Sequence, residues 1–148
     1  MRLYVGMDLQ TISDRIEIQD LFTRYAHAVD SKDWDLYRTV FTPDAHIDYS
    51  TAGGPVGDLE FVVAQLATML DLFAQTQHFV SNIDVELDGD RARVRAMFFN
   101  PMIVKKDRQF FCGGWYNHEL VRTPEGWRSR SLVEESAWFD GVAEAFAD

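Results

Sequence analysis

The amino-acid sequence predicts an α+β domain, with helices first and then a run of antiparallel strands bent around the longest helix. Three observations carry that prediction. Apolar residues recur at helical spacing through the first part of the chain. After Gln77 the apolar period changes to two. Turn signals then separate long strand-like runs, as at Asp88-Gly89-Asp90 and Thr123–Gly126. Helices grouped ahead of strands indicate α+β rather than alternating α/β.

Residues 11–29 read as the first helix. Ile18, Leu21, Phe22, Tyr25 and Val29 form one stripe, with Asp14, Arg15, Glu17, Asp20 and Arg24 largely off it. Thr11 followed by Asp14 resembles a capping box. A short second helix runs from about Lys32 to Val40, with Ser31 as the expected cap and Pro43 preventing extension. Ala45–Ser50 reads as a strand, and Thr51–Gly57 as a loop broken by Gly53, Gly54, Pro55 and Gly57. Asp58 caps a third helix whose broad apolar face (Phe61, Val62, Leu66, Met69, Leu70, Phe73) is expected to be mostly buried.

Phe79–Leu87 is a strand, with Ile83, Val85 and Leu87 alternating with Asn82, Asp84 and Glu86. Arg91–Met102 returns, with Ala92, Val94, Ala96 and Phe98 on one face and Arg91, Arg93 and Arg95 on the other. Lys105–Arg108 is a polar connection. Gln109–Arg122 and Trp127–Trp138 form the last hairpin, and the tail from Asp140 is a loop or short helix. The expected organisation is an N-terminal extension over 1–10, one domain over 11–139 and a tail over 140–148. Met7 offers an alternative start. A strongly bent sheet around a long helix makes a half-closed cone, and the space between them is a natural pocket.

Composition narrows the function. The 148 residues carry a formal net charge of −10, a field that repels nucleic acid. One cysteine, Cys112, allows neither an internal disulfide nor a Cys-based metal cluster. No stretch approaches 18 apolar residues, so no membrane span is expected, and the first ten residues do not read as a signal peptide. A cytoplasmic protein is the expectation. Aromatics make up 14% of the chain, which fits either a well-filled core or a site for a flat apolar ligand. No His-Glu-x-x-His, EF-hand, phosphate-loop or dinucleotide motif occurs, so neither metal nor cofactor is expected.

Several segments, in order, resemble the nuclear-transport-factor-2-like superfamily, a cone-shaped cystatin-like fold. Within it they resemble the SnoaL-like branch that includes scytalone dehydratase and bile-acid 7α-dehydratase. The segments are Arg24-Tyr25-Ala26, Asp30-Ser31-Lys32-Asp33-Trp34-Asp35, His46-Ile47-Asp48-Tyr49, Thr76-Gln77-His78-Phe79 and Gly126-Trp127, spanning roughly Ile12–Trp138. The resemblance implies three N-terminal helices on a curved sheet and a catalytic Asp30–His78 pair. It also implies a catalytic tyrosine at Tyr25, a tyrosine at Tyr49 that helps hold a water against the substrate carbonyl, and a substrate-binding asparagine at Asn117, counted back from Gly126. Trp115, Phe22 and Phe98 are the aromatic candidates for lining the pocket. The chain departs from scytalone dehydratase where that enzyme has a second pocket histidine. Near Pro101 it has Asn100 or Met102 instead, and Val29 replaces a tyrosine beside the aspartate.

The residues themselves support such chemistry. Imidazole is a natural general base, with an unperturbed pKa of about 6.5. A carboxylate accepting one ring N–H fixes its tautomer and stabilises the imidazolium. The reading is a cofactor-independent lyase acting on a small hydrophobic, cyclic molecule. Isomerase or cyclase chemistry, a ligand-binding module and a dioxygenase β-subunit-like structural part are the alternatives. Alternation raises one difficulty: His78 falls opposite Phe79 and Ile83, unless a bulge near Ser81 intervenes. A homo-oligomer, dimer or trimer, is expected because a curved sheet exposes a convex face.

Overall fold

The computed structural model describes residues 6–105 and 108–148. Residues 1–5 of the expected extension, and Lys106 and Asp107 of the polar connection, lie outside the described residues. The first helix, α1 (Leu9–Ser31), begins two residues earlier than its apolar stripe suggests. Its cap is Asp8, which accepts from the Thr11 amide at 2.8 Å. Asp14 does not complete a capping box. It is buried and accepts two bonds from the Arg122 guanidinium (2.8 and 2.9 Å) and one from the Trp127 indole (3.1 Å). A buried carboxylate needs such partners, and here they tie the start of α1 to the final hairpin.

α1 ends at Lys32, which adopts the left-handed conformation (φ 55°), and the chain turns into α2 (Trp34–Arg38). Asp33, not Ser31, caps α2 by accepting from Leu36 N. Strand β1 (Phe41–Asp48) leads through a 3₁₀ turn (Ser50–Ala52) to the short β2 (Val56–Asp58). Helix α3 (Leu59–Leu70) is capped by Asp58 as expected. Its apolar face is only partly covered: Val62, Val63 and Leu70 are buried, but Phe61 packs over Gly57 and is exposed. β3 (Gln75–Thr76), β4 (Phe79–Asp88), β5 (Arg91–Lys105), β6 (Arg108–Thr123) and β7 (Gly126–Asp140) follow, and α4 (Val142–Ala145) ends the described chain.

The sheet runs β2-β1-β7-β6-β5-β3, with β4 also paired to β5, and is mixed because β1 lies parallel to β7. The helices pack on one curled sheet, as the α+β reading requires. The core sits between α1 and the concave face. It holds Ile18, Leu21 and Phe22 of α1 against Ala96, Tyr116, Leu120 and Leu132 of the sheet. Among the described residues, no helix is long and apolar enough to cross a membrane.

Bulges set which side chains face inward. The β4–β5 register shifts between Ser81 and Asp84, where Asn82 takes φ 49°. Phe79 before the bulge points to the convex face and pairs with Phe99, while Ile83, Val85 and Leu87 after it turn inward. The alternation difficulty is resolved this way: His78 shares the concave face with Thr76 and Val80. A second shift falls at Gly113/Gly114. A side chain on Gly114 would lie 2.0 Å from the Glu135 carbonyl oxygen, so only glycine fits this bend.

Because Asp14 is 4% exposed and bonded to groups from two other segments, Asp14→Asn is expected to cost about 2–4 kcal/mol, read as a lower urea midpoint at unchanged slope.

Candidate active site

Asp30 stands in the last turn of α1, facing the connection between β3 and β4. Its Oδ1 accepts from the Thr76 hydroxyl at 2.9 Å, its Oδ2 accepts from the His78 backbone N–H at 2.9 Å, and its Oδ1 lies 2.6 Å from His78 Nδ1. Burial of Asp30 works against its charge, but the His78 ring and amide and the Thr76 hydroxyl outweigh burial. They hold the carboxyl below the usual carboxylate range. An ionised Asp30 accepts only, so Nδ1 carries the proton of this bond and Nε2 is the basic nitrogen. The His78 side chain is 8% exposed and that of Asp30 25%. The pair opens on a cleft of about 620 Å³ between α1 and the start of β4, lined by Phe22, Thr23, Ala26, Thr76 and Val80.

A second polar cluster occupies the concave face. The Tyr25 hydroxyl lies 2.8 Å from that of Tyr49, which lies 2.8 Å from that of Tyr37. α1, α2 and the end of β1 thus each contribute one phenol to a single chain. Burial pushes all three phenols well above their ordinary pKa, so they stay protonated and act as hydrogen-bond donors. The Tyr25 ring also meets the edge of Tyr116, on which Phe98 stacks at 4.5 Å. Asn100 donates to the Tyr116 hydroxyl at 3.2 Å, while its own Oδ1 is buried without a partner. Pairing of Thr76 with Met102 and of Phe79 with Phe99 sets His78 level with Asn100, so the Asp30–His78 pair and the phenols share one face.

Two further buried groups complete this face. His118 lies 2.9 Å from Ser129 Oγ, and Ser129 donates its own proton to Ser131 O. His118 therefore donates from Nδ1, and burial pushes its pKa down to about 3, keeping it neutral. Glu134 of β7 sits directly across from Tyr116, with one bond from the Ser136 hydroxyl (3.2 Å). Burial, opposed by Ser136 and reinforced by the charge of Asp48, pushes its carboxyl up to about 7. Cys112 is a buried thiol pushed up to about 12, too high to act as a thiolate nucleophile. Among the described residues, no group of three His, Cys, Asp or Glu side chains is placed to hold a metal ion.

The structure thus brings His78 to Asp30, Tyr25 to Tyr49, and Phe98 and Phe22 to the concave side of the sheet, with Phe22 meeting His118 edge-on. It does not bring Asn117 or Trp115 there, which corrects the expectation for both. Asn117 pairs with Arg95 across β5–β6 and accepts from its guanidinium at 2.8 Å on the convex face, in a groove with Asp84, Arg93 and Glu119. Trp115 lies under the same guanidinium, 4.5 Å from ring to Arg95 Cζ. Both faces of β6 carry aromatics, so alternation within that strand alone does not tell inside from outside. Pairing with the arginine-bearing face of β5 does. Sequence reasoning also missed Thr76, Tyr37, Tyr116 and Glu134, whose roles arise only from contacts between separate elements.

A curled sheet closed by helices, with a histidine held by a helix-end carboxylate at the edge of its concave face, defines a class of small α+β pocket proteins. The chain belongs to the SnoaL-like family: the family's SnoaL-like domain matches residues 10–133. Rv2910c, an uncharacterised protein of Mycobacterium tuberculosis, is 43% identical over 130 residues, covering 86% of this chain and 88% of its own. The crystal structure of Kfla4162 from Kribbella flavida superposes with a TM-score of 0.82 at 31% identity, over 92% of this chain and 99% of that one. A provisionally named aromatic ring hydroxylase from Novosphingobium aromaticivorans gives 0.77 at 30%, over 90% and 96%. At 18% and 17% identity, a likeness of fold alone, LinA gives 0.80 (92% and 94% covered) and a provisionally named scytalone dehydratase from the same Novosphingobium species gives 0.79 (88% of each).

The two kinds of buried carboxylate impose opposite pH dependences. Glu134 binds its proton more tightly folded (about 7) than unfolded (4.5). Its contribution is therefore fully present below pH 4.5 and is lost as pH rises to about 7. Asp30 stabilises above its unfolded value of 3.8, and that contribution is lost as pH falls through its lower folded value. Urea unfolding from pH 4.5 to 7.5 is expected to show Glu134→Gln gaining on the wild type as pH rises, by on the order of 3 kcal/mol at the upper end.

Proposed function

We propose that this protein is a cofactor-independent lyase that removes a proton beside a carbonyl of a small hydrophobic, cyclic molecule. The observation that carries the reading is the 2.6 Å bond between His78 Nδ1 and an Asp30 carboxylate held by two further donors. With Nδ1 committed to Asp30, Nε2 takes the proton from carbon and Asp30 stabilises the imidazolium. Tyr25, backed by Tyr49 and Tyr37, donates a hydrogen bond to the carbonyl oxygen as it gains enolate charge. Each phenol in the chain polarises the next, and the dry surroundings strengthen them all. The enolate then expels hydroxide or another anion from the neighbouring carbon. Returning the proton to a different carbon instead makes the same site an isomerase. A fold shared with a dehydrochlorinase and a scytalone dehydratase is compatible with either course.

A second reading is favoured by one observation, the 30% identity to a protein provisionally named an aromatic ring hydroxylase. A non-catalytic structural subunit of a ring-hydroxylating enzyme has no use for a positioned base. The His78–Asp30 contact of 2.6 Å weighs against this reading.

Turnover of a hydrophobic cyclic β-hydroxyketone, followed at the absorbance of the enone product, tests the first reading. His78→Ala is expected to lower kcat/KM by about 100- to 10,000-fold, and Asp30→Asn by a comparable factor, with circular dichroism unchanged. Near-normal rates in both variants would remove the enzyme reading. The proposal includes a homo-oligomer, dimer or trimer, formed through the convex face. There Phe79, Phe99 and Trp138 are 49%, 42% and 44% exposed around Phe111. Light scattering is expected to give a mass at least twice that of the chain, and Phe99→Lys is expected to reduce it to the monomer.

A further inference from the structure

Elimination from a carbonyl compound has two proton problems. The base removes one proton; the second problem depends on the leaving group. Chloride departs unaided, whereas hydroxide is so basic that it needs a proton as it leaves. The concave face offers many O–H and N–H groups, but few that can release a proton. The phenols of Tyr25, Tyr37, Tyr49 and Tyr116 are held by burial well above their ordinary range. The Cys112 thiol stands at about 12, and His118 is neutral. Glu134 is different in kind.

Glu134 projects from β7 onto the concave face directly across from Tyr116, 7% exposed, and its Oε1 has the Ser136 hydroxyl as donor. Titratable groups on four elements feel its charge: Tyr25 on α1, Tyr37 on α2, Tyr116 and Cys112 on β6, and Asp48 on β1. No cation is among them, so nothing there holds its charge and the neutral acid is the favoured form. His78 stands level with Asn100, whose amide reaches the Tyr116 hydroxyl four residues along β6 from its own partner Cys112, and Tyr116 faces Glu134; three inter-strand spacings and that offset separate His78 from Glu134 by roughly 19 Å at the backbone. The base and this carboxyl therefore stand on one concave face, linked by the Asn100–Tyr116 bond and the Tyr116–Glu134 pairing.

We propose that Glu134 is the general acid of this pocket, and that the leaving group is an oxygen, so the substrate is a β-hydroxy carbonyl compound rather than a halide. The inference rests on the elimination reading above and deepens it. The C–H bond breaks, its proton goes to His78 Nε2, and its electron pair becomes the new C=C bond through the enolate held by Tyr25. The C–O bond breaks with its pair on oxygen, the Glu134 O–H proton joins that oxygen, and water departs. Imidazolium and carboxylate remain, and proton exchange with solvent restores both.

Two probes separate the proposal from the reading beneath it: 3-hydroxy-5,5-dimethylcyclohexanone and its 3-chloro counterpart, both giving the same enone. Glu134→Gln is expected to slow loss of water about 100-fold or more and loss of chloride less than about 3-fold, whereas His78→Ala slows both. Wild-type protein at pH 6 is expected to show the infrared carbonyl stretch of a protonated carboxylic acid that is absent from Glu134→Gln. Glu134→Gln that dehydrates at the wild-type rate, that loses both activities equally, or that leaves the infrared band in place overturns the role of Glu134 while leaving the His78 base intact. Wild-type protein that turns over neither probe removes the elimination reading, and this proposal with it.

Discussion

The Asp30 carboxylate is the constraint on which the rest of the site depends. It joins the end of α1 to the β3–β4 connection through three bonds, two of them to His78 itself. A helix end and a sheet edge are thereby held in one geometry by a single charged group. Because one bond goes to the backbone N–H of His78 and another to its ring, strand position and ring orientation are set together. The left-handed Lys32 that follows lets α1 stop without carrying Asp30 away from the sheet.

From that point the concave face divides its polar groups by what burial does to them. Phenols become poorer acids and therefore dependable donors, and a histidine becomes neutral. The Glu134 carboxyl, with a single hydroxyl donor, keeps its proton to about pH 7. The contrast between Asp30 and Glu134 has a plain origin. Asp30 receives three hydrogen bonds, two of them from an imidazole-bearing residue, and stays charged. Glu134 has one hydroxyl donor and a like charge nearby in Asp48, and is driven neutral. Two acids of similar intrinsic strength thus take on opposite protonation states on one surface.

Much of this was legible in the chain. Helix stripes, caps at Asp58, the Asp-Gly hairpin and the switch of period after Gln77 are local properties, and they placed the elements to within a few residues. The Asp30, His78, Tyr25 and Tyr49 candidates came from a family resemblance and met in two pairs. Asn117 and Trp115 did not reach the hollow. Their face is decided by pairing with Arg95 on a neighbouring strand, which counting along a single strand does not capture. The first-helix capping box failed for a related reason: Asp14 was taken by Arg122, more than a hundred residues away.

What the amino-acid sequence determined by itself was the menu of elements and their order, because periodicity, capping and turn chemistry act within a few residues. What only the tertiary structure decided was facing and company: the bulge at Asn82 that turns Ile83 onto the face of His78, the three-phenol chain drawn from three elements, and the burial of Glu134. Each of these depends on contacts between residues distant in the chain, and it is the low-dielectric interior created by those contacts that changes what an acid or a base can do.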